Sequence, residues 1–447
     1  MRILLVEPNY RSKFPPLGLL RISSFFKRTK NDPQFVIGKN RAAAKQHWDR
    51  IFISSLFTFE LPRTIATINY YENSVTNPNE EIIVGGVGAT LMPEFIRQNA
   101  LCKVITGPLC NANMLGFGEE PIAYELPDYS LLPNISKKYT PDDAYFTRVT
   151  SGCIRTCAFC AVPVLEPKFR YLQSITEQVS QVRKEFGERH DLVVLDNNIL
   201  ALDNFNEVIE EIKELGFAKG ATLNKRKRRV DFNQGIDVRL ITADIARKLS
   251  SIAVKPVRIA FDHISTEQAY RTGVKFLAEA GIGYITTYVM FNFKDTPEEF
   301  YRRLEISLEL NKQYNIRITG FPMRYCPINN TDRHYISRHW NWRYLRGIQC
   351  ILAATHGMVS PNPGFFRLAF GNNADEFKKI ISMPDDLIIY RRNNRQIAQD
   401  WGCEFDNLNA EDKLGFYDLL EKLHSKSQLE PHKVEKFASL LNYYEKR

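Results

Sequence analysis

Runs of apolar residues alternate with amphipathic stretches through the middle of the chain. The apolar runs span Phe146 to Thr150, Leu192 to Asp196, Arg229 to Asn233, Val257 to Asp262, Tyr284 to Phe291 and Ile316 to Pro322. Each has the length of a strand. Helix-like segments separate them, at Thr176 to Phe186, Phe205 to Leu215, Thr242 to Ser251, Glu267 to Ala280 and Pro297 to Gln313. This regular alternation predicts repeated βα units around a parallel sheet, an α/β fold class. Six consecutive units predict an open, partial (βα)6 barrel of the TIM type.

The same alternation runs on a smaller scale through the first 130 or so residues. Strands are predicted at Ile3 to Val6, Ile51 to Ser54, Ile82 to Val84 and Val104 to Thr106, with helices between Pro16 and Phe26, Pro62 and Tyr71, and Ala89 and Gln98. This predicts a separate flavodoxin-like domain. From about Thr331 the pattern turns helical, with Trp340 to Ala354, Lys413 to Leu423 and Val434 to Tyr444 carrying amphipathic spacing. The expected organisation is therefore a domain over 1–135, a barrel over 136–330 and a helical extension over 331–447.

Composition adds little to this picture. With 447 residues, of which 44% are hydrophobic, there is material for two or three cores. No apolar run reaches the length of a membrane span, and the first residues read as a strand, so the expectation is a cytoplasmic protein with no membrane partner. A formal net charge of +9 makes an anionic partner such as nucleic acid thinkable. The densest basic run, Lys225 to Arg229, reads as a solvated loop, with an RNA or anion contact as the alternative.

Chemistry concentrates in Ser-Gly-Cys-Ile-Arg-Thr-Cys-Ala-Phe-Cys, residues 151 to 160. Cys153, Cys157 and Cys160 stand at C-x3-C-x2-C spacing directly after the first barrel strand. Thiolates are soft ligands suited to iron-sulfur clusters and zinc, and three on one short loop can reach three corners of one cubane. A zinc site needs a fourth ligand, and no second C-x2-C or H-x3-H pair exists in the chain. Structural packing of three cysteines in one loop and a disulfide framework are the remaining readings.

The cysteine loop resembles that of the radical S-adenosylmethionine (SAM) enzymes. The resemblance implies a 4Fe-4S cluster on Cys153, Cys157 and Cys160, SAM on the open iron, and reductive cleavage to a 5′-deoxyadenosyl radical at the ends of (βα)6 barrel strands. It also implies a reductant such as flavodoxin or ferredoxin. The first domain resembles the cobalamin-binding domain that precedes the barrel in one subgroup. Ser55 and Leu56, Gly85 and Gly86, and Gly116-Phe117-Gly118-Glu119-Glu120 carry that likeness. The chain departs from it after the first strand, where Glu7-Pro8-Asn9-Tyr10-Arg11-Ser12 stands in place of Asp-x-His-x-x-Gly. Cobalamin without a histidine ligand is the expectation that survives. Methylthiotransferases that modify tRNA share the architecture but carry three cluster cysteines in the first domain, where this chain has Cys102 and Cys110.

The resemblance places SAM contacts at strand ends. Phe159 matches the position that meets adenine, and Asp196, Asn197 and Asn198 the position that binds the amino group. An Asp-Asn-Asn run also makes a good turn and helix start. Gln234, Asp237 and Arg239 follow the third strand, and Arg239 suits either the SAM carboxylate or an internal Asp partner. Asp262, Tyr288, Arg324 and Tyr325 are the candidate catalytic or substrate residues. His263 reads as a structural hydrogen bonder, and Cys326 as a lone thiol with no local partner for a second cluster. Hydrogen abstraction leading to methyl transfer or rearrangement is the leading functional expectation. A non-catalytic, metal-stabilised nucleic-acid-binding protein is the rival.

Overall fold

In the computed structural model, residues 1–133, 139–391, 393–422 and 431–444 are described. The expected boundary at 135/136 and the end of the helix at Leu423 lie outside them. The chain forms two compact units. One holds Met1–Ile236 with Lys248–Lys255 and Cys326–His334, and the other Asp237–Arg247, Pro256–Tyr325 and Tyr335–Arg447. The cut after Ile236 falls inside the span read from sequence as one barrel.

The first unit opens with a five-stranded parallel sheet. Its strands are β1 (Ile3–Glu7), β2 (Gln34–Ile37), β3 (Arg50–Ser55), β4 (Ile82–Gly86) and β5 (Lys103–Val104), in the order β2-β1-β3-β4-β5. Strand residues alternate between two cores. Leu4, Val6, Ile51, Ile53, Ile82 and Val84 enter one, and Ile3, Leu5, Phe52 and Ile83 the other. Because helices cover both faces, the strands read as unbroken apolar runs. β2 escaped the sequence reading; Phe35-Val36-Ile37 between Pro33 and Gly38 is its signal. The expected helix from Ala89 to Gln98 is two helices, Val87–Leu91 and Pro93–Asn99, because Pro93 lacks the amide that would continue the ladder.

The second sheet of this unit holds β6 (Ala144–Thr147), β9 (Asp191–Val194) and β12 (Val230–Phe232), all parallel, in the order β12-β9-β6. Between them lie two small antiparallel pairs. One joins β7 (Thr150–Ser151) to β8 (Arg170–Tyr171), and the other β10 (Thr222–Leu223) to β11 (Arg226–Lys227). The basic run thus forms a hairpin rather than an open loop, turning at Asn224 and Lys225, both with positive φ. Its basic side chains divide. Arg228 is buried, donates to the carbonyls of His190 and Arg189 at 3.1 and 2.8 Å, and lies 3.6 Å over the Phe217 ring. It therefore serves packing, while Arg226 and Lys227 stay exposed.

The second unit holds β13 (Val257–Ala260), β14 (Tyr284–Phe291) and β15 (Arg317–Arg324), parallel and in sequential order. The helix Pro297–Tyr314 connects β14 to β15 and starts on a capping box between Thr296 and Glu299. Downstream helices, among them Trp342–Ala354, Ala374–Ser382, Arg395–Asp406 and Ala410–Glu421, pack with Val289, Phe291 and Phe300 into one apolar core. Gly347 is what permits closest approach there, since an added Cβ would lie 2.1 Å from the Ile381 carbonyl oxygen. No described helix is long and apolar enough to cross a membrane.

Candidate cluster-binding loop

β6 ends at Thr147, and the chain continues through Thr150 and Ser151 into the cysteine loop. Asp196, just beyond β9, sets the start of that loop. It is 3% exposed and accepts from the Val149 amide at 3.0 Å, the Thr150 amide at 2.5 Å and the Thr150 hydroxyl at 2.6 Å. Burial pushes its carboxyl above the usual range, and these donors offset only part of that. Gly152 then takes φ +75°, and a Cβ on it would sit 2.4 Å from the Lys168 carbonyl oxygen. Only glycine passes there.

Glu166, which the sequence reading did not single out, ties the loop from its far side. It pairs with Arg148, accepts from the Gly152 amide at 2.8 Å, and accepts from Asn197 Nδ2 at 3.0 Å. Burial works to raise its carboxyl, but the Arg148 guanidinium and the Gly152 amide outweigh this and hold it below the usual range. Its signal was slender: a lone acid after the apolar Ala161 to Leu165.

Cys153, Cys157 and Cys160 are half-buried thiols, none in a disulfide, on this braced segment. Two donors reach the Cys153 sulfur, the Arg155 amide at 3.3 Å and Asn198 Nδ2 at 3.4 Å. Asn198 is 2% exposed, and its Oδ1 is buried with no hydrogen-bond partner among the described residues. The three sulfurs do not converge on one point, and among the described residues no three His, Cys, Asp or Glu side chains gather around a single ion position. A cubane asks for something else, one thiolate per iron. The donor set fits it: three soft ligands on one loop, one already bonded by N–H groups that stabilise a thiolate, beside a buried acceptor without a donor. Phe159 is half-buried within the same loop. Thus Asp196, Asn197 and Asn198 all meet the loop, through the Val149 and Thr150 amides, Glu166 and Cys153 respectively.

Gln234, in the same unit, is exposed, with Nε2 3.4 Å from Asn233 Oδ1. The remaining candidates belong to the second unit. Arg239 grips Asp237 with both arms, Nε to Oδ1 at 2.6 Å and Nη2 to Oδ2 at 3.0 Å. Tyr288 accepts from Arg258 at 3.2 Å and lies beside Phe321. Arg324 donates to the Tyr335 carbonyl at 3.0 Å, and the Tyr325 ring packs on Phe293 and Tyr335. His263 accepts from the Ser265 amide at 3.1 Å, a capping role. Cys326, which belongs to the first unit, is half-buried; Cys350 is buried and Cys403 exposed.

Asp262 stands apart electrostatically. Burial pushes its carboxyl from 3.8 up to about 6, against the pull of Arg303. Between these two values the folded chain keeps a proton that the unfolded chain has lost, so Asp262 draws stability down as pH rises through the window. Asp262→Asn removes that dependence. Denaturant titrations at pH 4.5 and 7.5 should show the variant gaining on wild type with rising pH, by about 2 kcal/mol at about 1.4 kcal/mol per pH unit. An equal difference at both values would show that the carboxyl ionises normally.

In the N-terminal sheet the carboxyl ends of β1 and β3 are covered by the chain's own tyrosines. Tyr10 is 3% exposed, donates to the Ser54 carbonyl at 3.2 Å and bonds the Thr64 hydroxyl. Tyr139 donates to the buried Glu7 carboxylate. Ser55 Oγ donates to the Gly85 carbonyl at 2.9 Å and accepts from the Ala89 amide at 2.7 Å. A Cβ on Gly86 would sit 2.5 Å from the Ser55 carbonyl oxygen.

No protein-family model matches the chain. Among curated proteins, it is 33% identical over 70 residues to the ribosomal protein uS12 methylthiotransferase RimO of Petrotoga mobilis, 15% of this chain and 16% of that protein. It is 26% identical over 144 residues to a probable dual-specificity RNA methyltransferase RlmN of Clostridium novyi, 32% of this chain and 39% of that one. The chain therefore spans well under half the length of the curated relatives it matches. Among solved structures, SuiB of Streptococcus suis aligns over 47% of this chain and 46% of its own, with TM-score 0.33 and 12% identity. HydG, a maturase of the FeFe-hydrogenase, aligns over 57% and 62%, with TM-score 0.34 and 16% identity.

Proposed function

We propose that this chain, which belongs to the radical SAM family, holds a 4Fe-4S cluster on Cys153, Cys157 and Cys160 and uses it to cleave SAM reductively. The observation that carries the reading is the braced loop itself: three half-buried thiols, with two N–H donors on the Cys153 sulfur and the buried, unpartnered Asn198 Oδ1 beside it. Held by Cys153, Cys157 and Cys160, the cluster would supply the electron for reductive cleavage of SAM to methionine and a 5′-deoxyadenosyl radical. The chain's own residues do the positioning. Asp196 fixes the backbone ahead of the loop, Glu166 and Arg148 brace it, and Asn198 offers an acceptor for an amino group. Phe159 is the residue for adenine, Gln234 and the Asp237–Arg239 pair are candidates for the rest of SAM, and Asp262, Tyr288, Arg324 and Tyr325 for substrate.

The three-stranded sheets each have the parallel sense and sequential order that a βα barrel repeats, which supports the barrel reading. The order β2-β1-β3-β4-β5 supports the flavodoxin-like reading, in which the ligand crevice lies at the switch point between β1 and β3. Tyr10 and Tyr139 stand at those strand ends, and Ser55, Gly85 and Gly86 bond or pack on one another. The residues there do not fit a corrinoid, so cobalamin takes no part in the proposed chemistry. Methyl transfer or rearrangement remains the proposed outcome, with a low-potential donor such as flavodoxin or ferredoxin as reductant and a nucleic-acid or protein substrate. The test is anaerobic loading with iron and sulfide, then reduction with SAM present. The expected products are 5′-deoxyadenosine and methionine. A fully loaded cluster that cleaves no SAM, or zinc in place of iron after anaerobic purification, would favour the metal-stabilised binding protein.

A further inference from the structure

The helical part of the second unit forms a half-open cavity of about 1230 Å³ that the proposed chemistry does not use. Its walls come from the ends of the helices Trp342–Ala354 and Ala374–Ser382, from Pro363–Phe370, and from Arg395–Asp406. They are mainly apolar, with Ile351, Phe365, Leu368, Ile380 and Ile389 prominent, and Phe365 and Leu368 are more than two-fifths exposed at the rim. Pockets for small molecules are commonly apolar and occupy about 300–1,000 Å³, so this one has room for a long-chain ligand.

Arg391 sits in this wall. Its Nη1 donates to the Leu368 carbonyl at 2.5 Å, which fixes the guanidinium, while its Nε is buried with no hydrogen-bond partner among the described residues. Burial lowers its pKa, and no acidic neighbour among the described residues offsets the shift. Thr355 lines the same cavity, and its buried Oγ1 is likewise without a partner. The other cations differ. Lys379 is neutralised by Asp406 at 2.7 Å, and Arg395 is exposed to water. A shielded cation without a counter-charge is costly, and an anion placed on it would satisfy the free donor in a site of low dielectric.

We propose that this cavity binds an amphipathic anion, with the apolar chain among the aliphatic and aromatic walls and one carboxylate or phosphate on Arg391. The proposal is independent of the cluster, so it is tested on the full chain purified without metal. Calorimetric titration with dodecanoate, dodecyl phosphate, dodecanol and acetate separates head from tail. At least one of the two long-chain anions should bind about tenfold more tightly than dodecanol, and acetate should not bind measurably; Arg391→Ala should bring anion and alcohol to within about twofold. Which anion binds more tightly tells carboxylate from phosphate. Cys403, exposed and lining the cavity, gives a readout in the unaltered protein. Saturating anion should slow its alkylation by iodoacetamide, followed by peptide mass spectrometry, and leave that of Cys326 unchanged. Equal affinity for the anions and the alcohol, a preference that survives Arg391→Ala, or an unprotected Cys403 at saturation would overturn the proposal.

Discussion

Alanine in place of any one of Cys153, Cys157 or Cys160 is expected to leave a chain that purifies with little iron and forms no detectable 5′-deoxyadenosine. In the proposed cluster each thiolate would hold a different iron, so loss of one would leave a second iron without a protein ligand and the cubane labile. All three thiols are half-buried on a segment held by Asp196 and Glu166, and removing a sulfur atom takes no group from those two anchors. The variants should accordingly keep the wild-type circular dichroism spectrum and melting temperature in the metal-free state. Cys403→Ala, at an exposed position, is the matched control and should retain iron and SAM cleavage. Iron and sulfide analysis with the visible charge-transfer absorbance reads the first outcome, and chromatography of the nucleoside product the second. Wild-type iron content in Cys157→Ala would remove the cluster assignment outright. Loss of zinc rather than iron would redirect it.

Arg303→Met should destabilise the second unit by about 3–5 kcal/mol, the range for a buried ion pair stripped of one partner. Arg303 is fully buried and donates to Asp295 at 2.6 Å, to the Phe261 and Met290 carbonyls at 2.8 and 2.7 Å, and to the Glu299 carbonyl at 3.3 Å. Its removal strands a buried carboxylate and leaves backbone carbonyls short of a donor, which outweighs the apolar fit of the methionine. Burial lowers the Arg303 pKa and raises that of Asp295, so each depends on the other to stay charged. Arg303→Met combined with Asp295→Asn should recover part of the loss, because the orphaned charge is gone. Hydrogen exchange on the helix Pro297–Tyr314 and on β14 localises the effect better than a global melt, since a chain of two units need not unfold in one step. A loss below about 1 kcal/mol would mean that water reaches the pair. The substitution should also raise the Asp262 carboxyl further, because Arg303 is the main charge holding it down.

Much of the fold was legible because its signal is local. Tyr284–Phe291 is apolar along most of its length and flanked by amphipathic stretches, and it forms the strand its pattern predicts, with the same ends. β2 was missed since three β-branched or aromatic residues among polar neighbours are too few to stand out. The expected Arg229 to Asn233 strand shortens to Val230–Phe232 because Arg228 and Arg229 are taken up by Glu188, His190 and Asp191 across the sheet. Arg303 lay in plain view on the apolar stripe between Phe300 and Leu304, yet its partners Asp295, Phe261 and Met290 are set by how helix and sheet meet.

The cysteine loop divides in the same way. The sequence by itself determined the donor set, since the C-x3-C-x2-C spacing, the soft thiolates and the absence of a second ligand pair are local facts. It also marked Asp196, Asn197 and Asn198 as residues at a strand end. Only the tertiary structure decided what those three side chains hold. Asp196 reaches 46 residues back to Thr150, Asn197 finds Glu166, and Asn198 finds the Cys153 sulfur, while Gly152 threads a gap that no side chain would pass. The physical reason is that a ligand's chemistry belongs to its own atoms. Its hydrogen-bond partners and its burial belong to whichever strands the parallel sheet brings alongside.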